Sequence, residues 1–220
     1  IRSADAPTTV TTLAIAPSGQ KFAVGRGADV LVCDVADGKE RLQLRGPSSS
    51  VSDIAFSADG ISMATARGNG EIQLWDSELG ERKHVLRAHT GPAIRCRFAG
   101  AGHRLVSVGL DGAFRLWNTE TAELLWSEPG DGHGLREVVA SPDGRTAAVG
   151  GFAGIVRIYD LDARCERQTL DQHTRSITAL RFISGGALLI SAGDEGTIRY
   201  WDTAADFAMV GCFEFGSSRY

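Results

Sequence analysis

The sequence predicts an all-β protein built from five copies of one four-stranded antiparallel repeat. Three observations carry that prediction. First, an apolar or aromatic residue followed by Asp or Asn recurs at Cys33-Asp34, Trp75-Asp76, Trp117-Asn118, Tyr159-Asp160 and Trp201-Asp202, each 42 residues after the last. Second, every interval holds several short alternating segments. Third, those segments end in Gly-containing turns. A repeat of this length, with several strands in each copy, points to a radial β architecture in which one repeat is one blade. The five repeats fall at about 9–50, 51–92, 93–134, 135–176 and 177–215, and the whole of 1–220 reads as one domain or a segment of one.

Within each repeat the first strand alternates and closes on a turn: "VTTLAIAPSG", "VSDIAFSADG", "AIRCRFAGAG", "LREVVASPDG" and "ITALRFISGG". Asp-Gly and Gly-Gly supply the positive φ that hairpin turns need. A second strand follows ("RLVSVG", "ALLISAG"), then a tight turn and a third strand ("EIQLWD", "AFRLWN", "IVRIYD", "TIRYWD"). In the third strands Ile72 and Leu74, Phe114 and Leu116, Val156 and Ile158, and Ile198 and Tyr200 share one parity, the face expected to pack between blades. A more polar fourth strand ("KHVLRA", "RQTL") suits a sheet edge that must not recruit other chains.

Composition sets limits on partners. The 220 residues are 43% hydrophobic, enough for a sizeable core, and carry a net charge of −4. That balance gives no general attraction for nucleic acid or an anionic membrane. No apolar run approaches the roughly 20 residues that span a bilayer, and "IRSADAPTTV" lacks a signal core. A cytoplasmic location is expected. Cys33, Cys96, Cys165 and Cys212 form no C-x-x-C pair, so buried, reduced thiols are expected rather than a zinc site or disulfide framework. Basic residues are mostly Arg, with Lys only at 21, 39 and 83, which points to a GC-rich bacterial source. Ile1 in place of Met is expected of a processed or excised chain.

Spacing, turn glycines and the terminal Trp-Asp together resemble the WD-repeat family of β-propellers, over roughly residues 9 to 215. The resemblance implies four-stranded blades, either five in a closed ring or part of a seven-bladed one completed by another chain segment or by self-association. It also implies a buried hydrogen-bonded brace in each blade: Trp on the third strand, Ser or Thr on the second, Asp in the turn between them, and His before the first. Blade three matches in full with His89, Ser107, Asp111 and Trp117. Blade five offers His173, Ser191, Glu195 and Trp201, where Glu for Asp alters the turn. Blade two keeps Thr65, Asn69 and Trp75 but has Pro47 at the His position. Blade one (Ala23, Gly27, Cys33) and blade four (Val149, Ala153, Tyr159) have lost the set, and Asp131 holds blade four's His position, two residues before His133.

His89, Ser107 and Asp111 also have the side chains of a nucleophilic triad, but a similar trio recurs in blade five and there is no G-x-S-x-G elbow. No catalytic residues are expected. "GRGADV" and "GDGHG" read as loops rather than phosphate cradles, since neither follows a strand-to-helix pattern. The five His are scattered without metal-ligand spacing, so neither metal nor cofactor is expected. Arg115, Arg157 and Arg199 align on successive third strands, as a solvated or Trp-flanking face or else as a groove for acidic partner residues.

Function is therefore expected on loops carried by the scaffold. In the family, partners commonly dock on the loops before the first strand and between the second and third. By position these supply Arg26, Gly68, Leu110, Phe152 and Asp194, and Thr9, Ser50, Pro92, Gly134 and Ser176. Leu110, Phe152 and Pro92 read as an apolar anchor patch, with Arg26 and Asp194 as flanking charges. The expected function is a non-enzymatic scaffold binding peptide segments of partner proteins. The alternative is a sensor or recruiting module of a larger bacterial signalling protein, a kinase or STAND-type NTPase, with its chemistry encoded outside these residues.

Overall fold

Alternating strands punctuated by left-handed glycines fold as four-stranded meanders. The computed structural model describes residues 9–215. Sheet one comprises β1 (Val10–Ile15), β2 (Lys21–Arg26), β3 (Asp29–Asp34) and β4 (Glu40–Leu44). Sheet two comprises β5 (Val51–Phe56), β6 (Ser62–Arg67), β7 (Glu71–Asp76) and β8 (Arg82–Arg87). Sheet three holds β9 (Ala93–Phe98), β10 (Arg104–Gly109), β11 (Phe114–Asn118) and β12 (Leu124–Glu128). Sheet four holds β13 (Leu135–Ala140), β14 (Thr146–Gly151), β15 (Val156–Asp160) and β16 (Cys165–Leu170). Sheet five holds β17 (Ile177–Ile183), β18 (Leu188–Gly193), β19 (Thr197–Asp202) and β20 (Ala208–Glu214). Strand order in every sheet follows the chain. The chain divides into two compact units between Cys96 and Arg97. Among the described residues no helix is long and apolar enough to cross a membrane.

In the first unit, Ala23, Val30 and Val32 of sheet one pack with Val51, Ile54, Met63 and Trp75 of sheet two. In the second, Val106, Phe114 and Leu116 meet Val138, Val149 and Tyr159. Tyr159 stacks on Phe114 with centroids 4.6 Å apart, and Trp126 of β12 sets its edge to both rings. Such aromatic pairs contribute about 0.5–1.5 kcal/mol beyond their burial. Burial pushes the Tyr159 phenol well above its usual range.

Two irregularities repeat. Where a first strand pairs with its second, the register shifts between Val10 and Thr12, Val51 and Asp53, Leu135 and Glu137, and Ile177 and Ala179. The extra residue of each bulge, Thr11, Ser52, Arg136 or Thr178, leaves the ladder and is re-aimed. Opposite each Trp position the fourth strand bulges too, as between Leu116 and Trp117.

Three expectations are corrected. Ile198 and Tyr200 share the expected parity but are only half-buried, because the face of sheet five that they occupy has no sheet against it among the described residues of its unit. Phe213 beside them is 62% exposed, and sheet one likewise turns Leu13 (58%) and Ile15 (62%) outward. Fourth strands are not uniformly polar, since β20 exposes Met209 and Val210. Cys33 and Cys96 are buried, but Cys165 and Cys212 are exposed free thiols, because both lie on outer strands.

Candidate functional site

Blade five brings its expected residues together. Trp201 Nε1 donates to Ser191 Oγ at 2.9 Å, Ser191 Oγ lies 2.7 Å from His173 Nε2, and His173 Nδ1 meets the Glu195 carboxylate. The Glu195 carboxylate can only accept, so Nδ1 carries the ring proton and donates to it; Nε2 of the neutral ring then accepts the Ser191 hydroxyl proton, and the Ser191 oxygen accepts from the indole. Burial holds His173 below its usual range, consistent with a neutral ring. Burial opposes ionisation of Glu195, yet hydrogen bonds from Thr197 and His173 outweigh it and hold the carboxyl at about 2. The altered turn accommodates Glu because Gly193 has no side chain: a Cβ there would sit 2.2 Å from Glu195 Oε2.

The indole bond recurs in blades two and three. Trp75 Nε1 donates to Thr65 Oγ1 and Trp117 Nε1 to Ser107 Oγ, both at 3.1 Å and buried. Asp111 accepts from the Ala113 amide and from Arg115 Nη1 at 3.1 Å. His89 is buried in the first compact unit. Asn69 accepts from the Glu71 amide. In blade four, Asp131 takes Arg157 as its partner instead of a His.

The aligned arginines are thereby corrected. Arg115 pairs with Asp111, Arg157 with Asp131 and Arg199 with Glu195, and each guanidinium is largely shielded. They are not unpaired cations awaiting an acidic partner, because each already holds a carboxylate of its blade's loops.

Ser191, His173 and Glu195 have the connectivity of a hydrolytic triad. Ser191 is fully buried and its oxygen is committed to an indole, so no substrate carbonyl can reach it.

Sequence reasoning missed the second half of the recurring dipeptide. Asp34, Asp76, Asn118, Asp160 and Asp202 each accept from the backbone amide two residues on, at 2.8 to 3.0 Å. These Asx turns close the connection to the fourth strand. The recurrence itself was the available signal.

On the loop side, blades two, four and five stitch the turn between their second and third strands to the segment before the first. Gly68 N donates to Ser50 O, Phe152 N to Gly134 O, and Asp194 N to Ser176 O, at 2.9 to 3.1 Å. In the second unit Leu110 and Phe152 converge: a Cβ on Gly134 would lie 3.2 Å from Leu110 Cδ2 and 3.3 Å from Phe152 Cδ2. They remain 44% and 53% exposed. Asp194 is exposed in the same unit, Arg26 is exposed in the first unit, and Pro92 there is half-buried. Arg136, which sequence reasoning passed over, places its guanidinium carbon 5.2 Å over the Phe152 ring.

Three segments, 38–76, 80–118 and 164–202, match the family model described as WD domain, G-beta repeat, together more than half of the chain. Each ends on Trp75-Asp76, Trp117-Asn118 or Trp201-Asp202, the three dipeptides that carry the Trp to Ser or Thr bond. The chain belongs to the WD40 repeat family, and its fold class is the WD-repeat β-propeller. The structure of U3-55K is similar with a TM-score of 0.84 at 17% identity, over 95% of this chain and 65% of that one. Curated relatives include telomerase protein component 1 of Rattus norvegicus, 26% identical over 87% of this chain and 7% of its own length. The SIR4-interacting protein SIF2 of Saccharomyces cerevisiae is 27% identical over 70% and 31% respectively. The COMPASS component SWD3 of the same yeast is 22% identical over 87% and 64%. The chain thus spans less than two thirds of the length of each of these relatives.

Proposed function

We propose that this chain is a non-enzymatic protein-interaction scaffold that binds partner peptides on its loop face, with Leu110 and Phe152 as the apolar anchor. The carrying observation is the convergence of these two exposed side chains over Gly134, whose carbonyl accepts from the Phe152 amide. Apolar anchors held in place before binding lose little freedom on contact. Relatives named as an interacting protein and as an assembly component support the same reading. The net charge of −4 favours protein over nucleic acid or membrane as partner, in a cytoplasmic setting. Pro92, Arg26 and Asp194 are proposed as outlying contacts. The test is to select peptides from a displayed random library on the intact chain and remeasure them against Phe152→Ser. Loss of binding with an unchanged melting temperature is expected, and retained binding would overturn the assignment.

A second reading rests on the limited span of the relatives that the chain covers and on the open apolar faces of sheets one and five. We propose that further polypeptide, either additional repeats or a second copy, covers Leu13 and Ile15 at one end and Ile198, Tyr200 and Phe213 at the other. In that setting the chain is a recruiting module of a larger protein. Reading the gene on both sides of this segment tests it: further repeats or a signalling domain would support it, and stop signals at both ends would remove it.

A further inference from the structure

Resting on the peptide-binding reading above, we infer that the Leu110–Phe152 ledge selects an acidic peptide segment. An apolar side chain sits on the ledge, and a neighbouring Asp or Glu carboxylate is gripped by Arg136. The bulge between Leu135 and Glu137 makes Arg136 the extra residue of its strand and aims it onto Phe152. Sheets one and five place Thr11 and Thr178 at this position, and their hydroxyls are taken by backbone, Thr11 donating to Val51 O at 2.6 Å and Thr178 to Ala192 O at 3.3 Å. Sheet four instead carries a long cation there.

Arg136 has no ion pair and no side-chain hydrogen bond among the described residues; the Phe152 ring is its one charge-directed contact. This sets it apart from Arg115, Arg157 and Arg199, each of which already pairs with a carboxylate. The acid nearest in the loop, Asp131, is held by Arg157 and so does not neutralise it. Arg175, exposed and without an ion pair among the described residues, lies on a neighbouring loop: its backbone carbonyl would lie 2.7 Å from a Cβ on Gly154, two residues past Phe152. Arg136 over the Phe152 ring of an apolar ledge complements an acidic and apolar ligand.

A guanidinium stacked on an aromatic face keeps its N–H edge outward, and the stacking limits its rotamers before a carboxylate arrives. Its planar fork accepts a carboxylate through two parallel hydrogen bonds. A nucleic acid is the poorer fit, because one face of the Phe152 ring is already taken and the chain as a whole is acidic.

The library-selected peptides and a fluorescein-labelled oligouridylate are titrated against the intact chain, Arg136→Gln, Arg136→Lys and Phe152→Ser, with melting temperatures recorded for each. Enriched peptides should carry Asp or Glu within two positions of a Leu, Ile, Met or Phe. Their affinity should fall about tenfold or more in Arg136→Gln and less in Arg136→Lys. If peptides lose affinity in Phe152→Ser but show no acidic bias and bind Arg136→Gln unchanged, the acidic preference is overturned while the ledge stands. If Phe152→Ser has no effect, the ledge itself falls and the inference with it. Binding of oligouridylate that Arg136→Gln abolishes, without acidic peptides, would replace the peptide by RNA.

Discussion

His173 is bonded through both edges of its ring, to Ser191 by Nε2 at 2.7 Å and to the Glu195 carboxylate by Nδ1. One side chain thereby ties the segment before the first strand of blade five to its second strand and to the turn that follows it, and the indole of Trp201 completes the chain of donors.

That arrangement makes stability depend on pH. Glu195 has a folded pKa of about 2, below its unfolded value, so its contribution is present above roughly pH 4.3 and is lost as the pH falls toward 2. His173 is also lowered, so below about pH 6.5 the unfolded chain takes up a proton that the folded one refuses. Both act in the same direction. The melting temperature should decline from pH 7 to pH 4 and more steeply below that. Glu195→Gln should cost about 1–3 kcal/mol at pH 7 and flatten the acid limb in thermal melts.

Trp75 and Thr65 make a simpler pair, since Pro47 stands where a His would add a third member. Thr65→Val leaves a buried indole N–H without its acceptor and should cost about 1–3 kcal/mol in urea denaturation. Added to Trp75→Phe, the same change should cost far less, because the donor is gone as well.

The fourth residue after the capping Asp or Asn is left-handed in every repeat. Gly38 and Gly80 adopt this conformation freely, whereas Ala122 (φ 60°) and Arg164 (φ 56°) are strained by it. Ala122→Gly and Arg164→Gly should each stabilise the protein by about 0.5–1 kcal/mol, the relieved strain exceeding the added freedom of the unfolded chain. Chemical denaturation of the two single variants checks this.

The open faces of sheets one and five should make the isolated chain self-associate with rising concentration. Sedimentation velocity should show that Ile15→Glu and Phe213→Glu reduce this association while melting temperature holds. A wild-type chain that stays monomeric at all concentrations would argue that these faces need no cover.

Much of this was legible in the chain. Trp75, Trp117 and Trp201 stand ten residues after Thr65, Ser107 and Ser191, and one hairpin turns that local spacing into a hydrogen bond. The Leu110–Phe152 ledge was legible as a pair of positions, since both precede equivalent turns. The arginines were not, because an Arg at a fixed register position looks the same whether or not an acid reaches it from another loop.

Strand count, turns and the Trp to Ser or Thr bonds were thus in the sequence, because all of them depend on residues a few positions apart and on a period that repeats them. Only the tertiary structure decided which charges were spent and which stayed free. Asp131 captures Arg157 from 26 residues away, and a one-residue bulge turns Arg136 onto Phe152 instead of leaving it in the ladder. Pairing of that kind depends on which loops the folded sheets bring together, and strand periodicity carries no record of it.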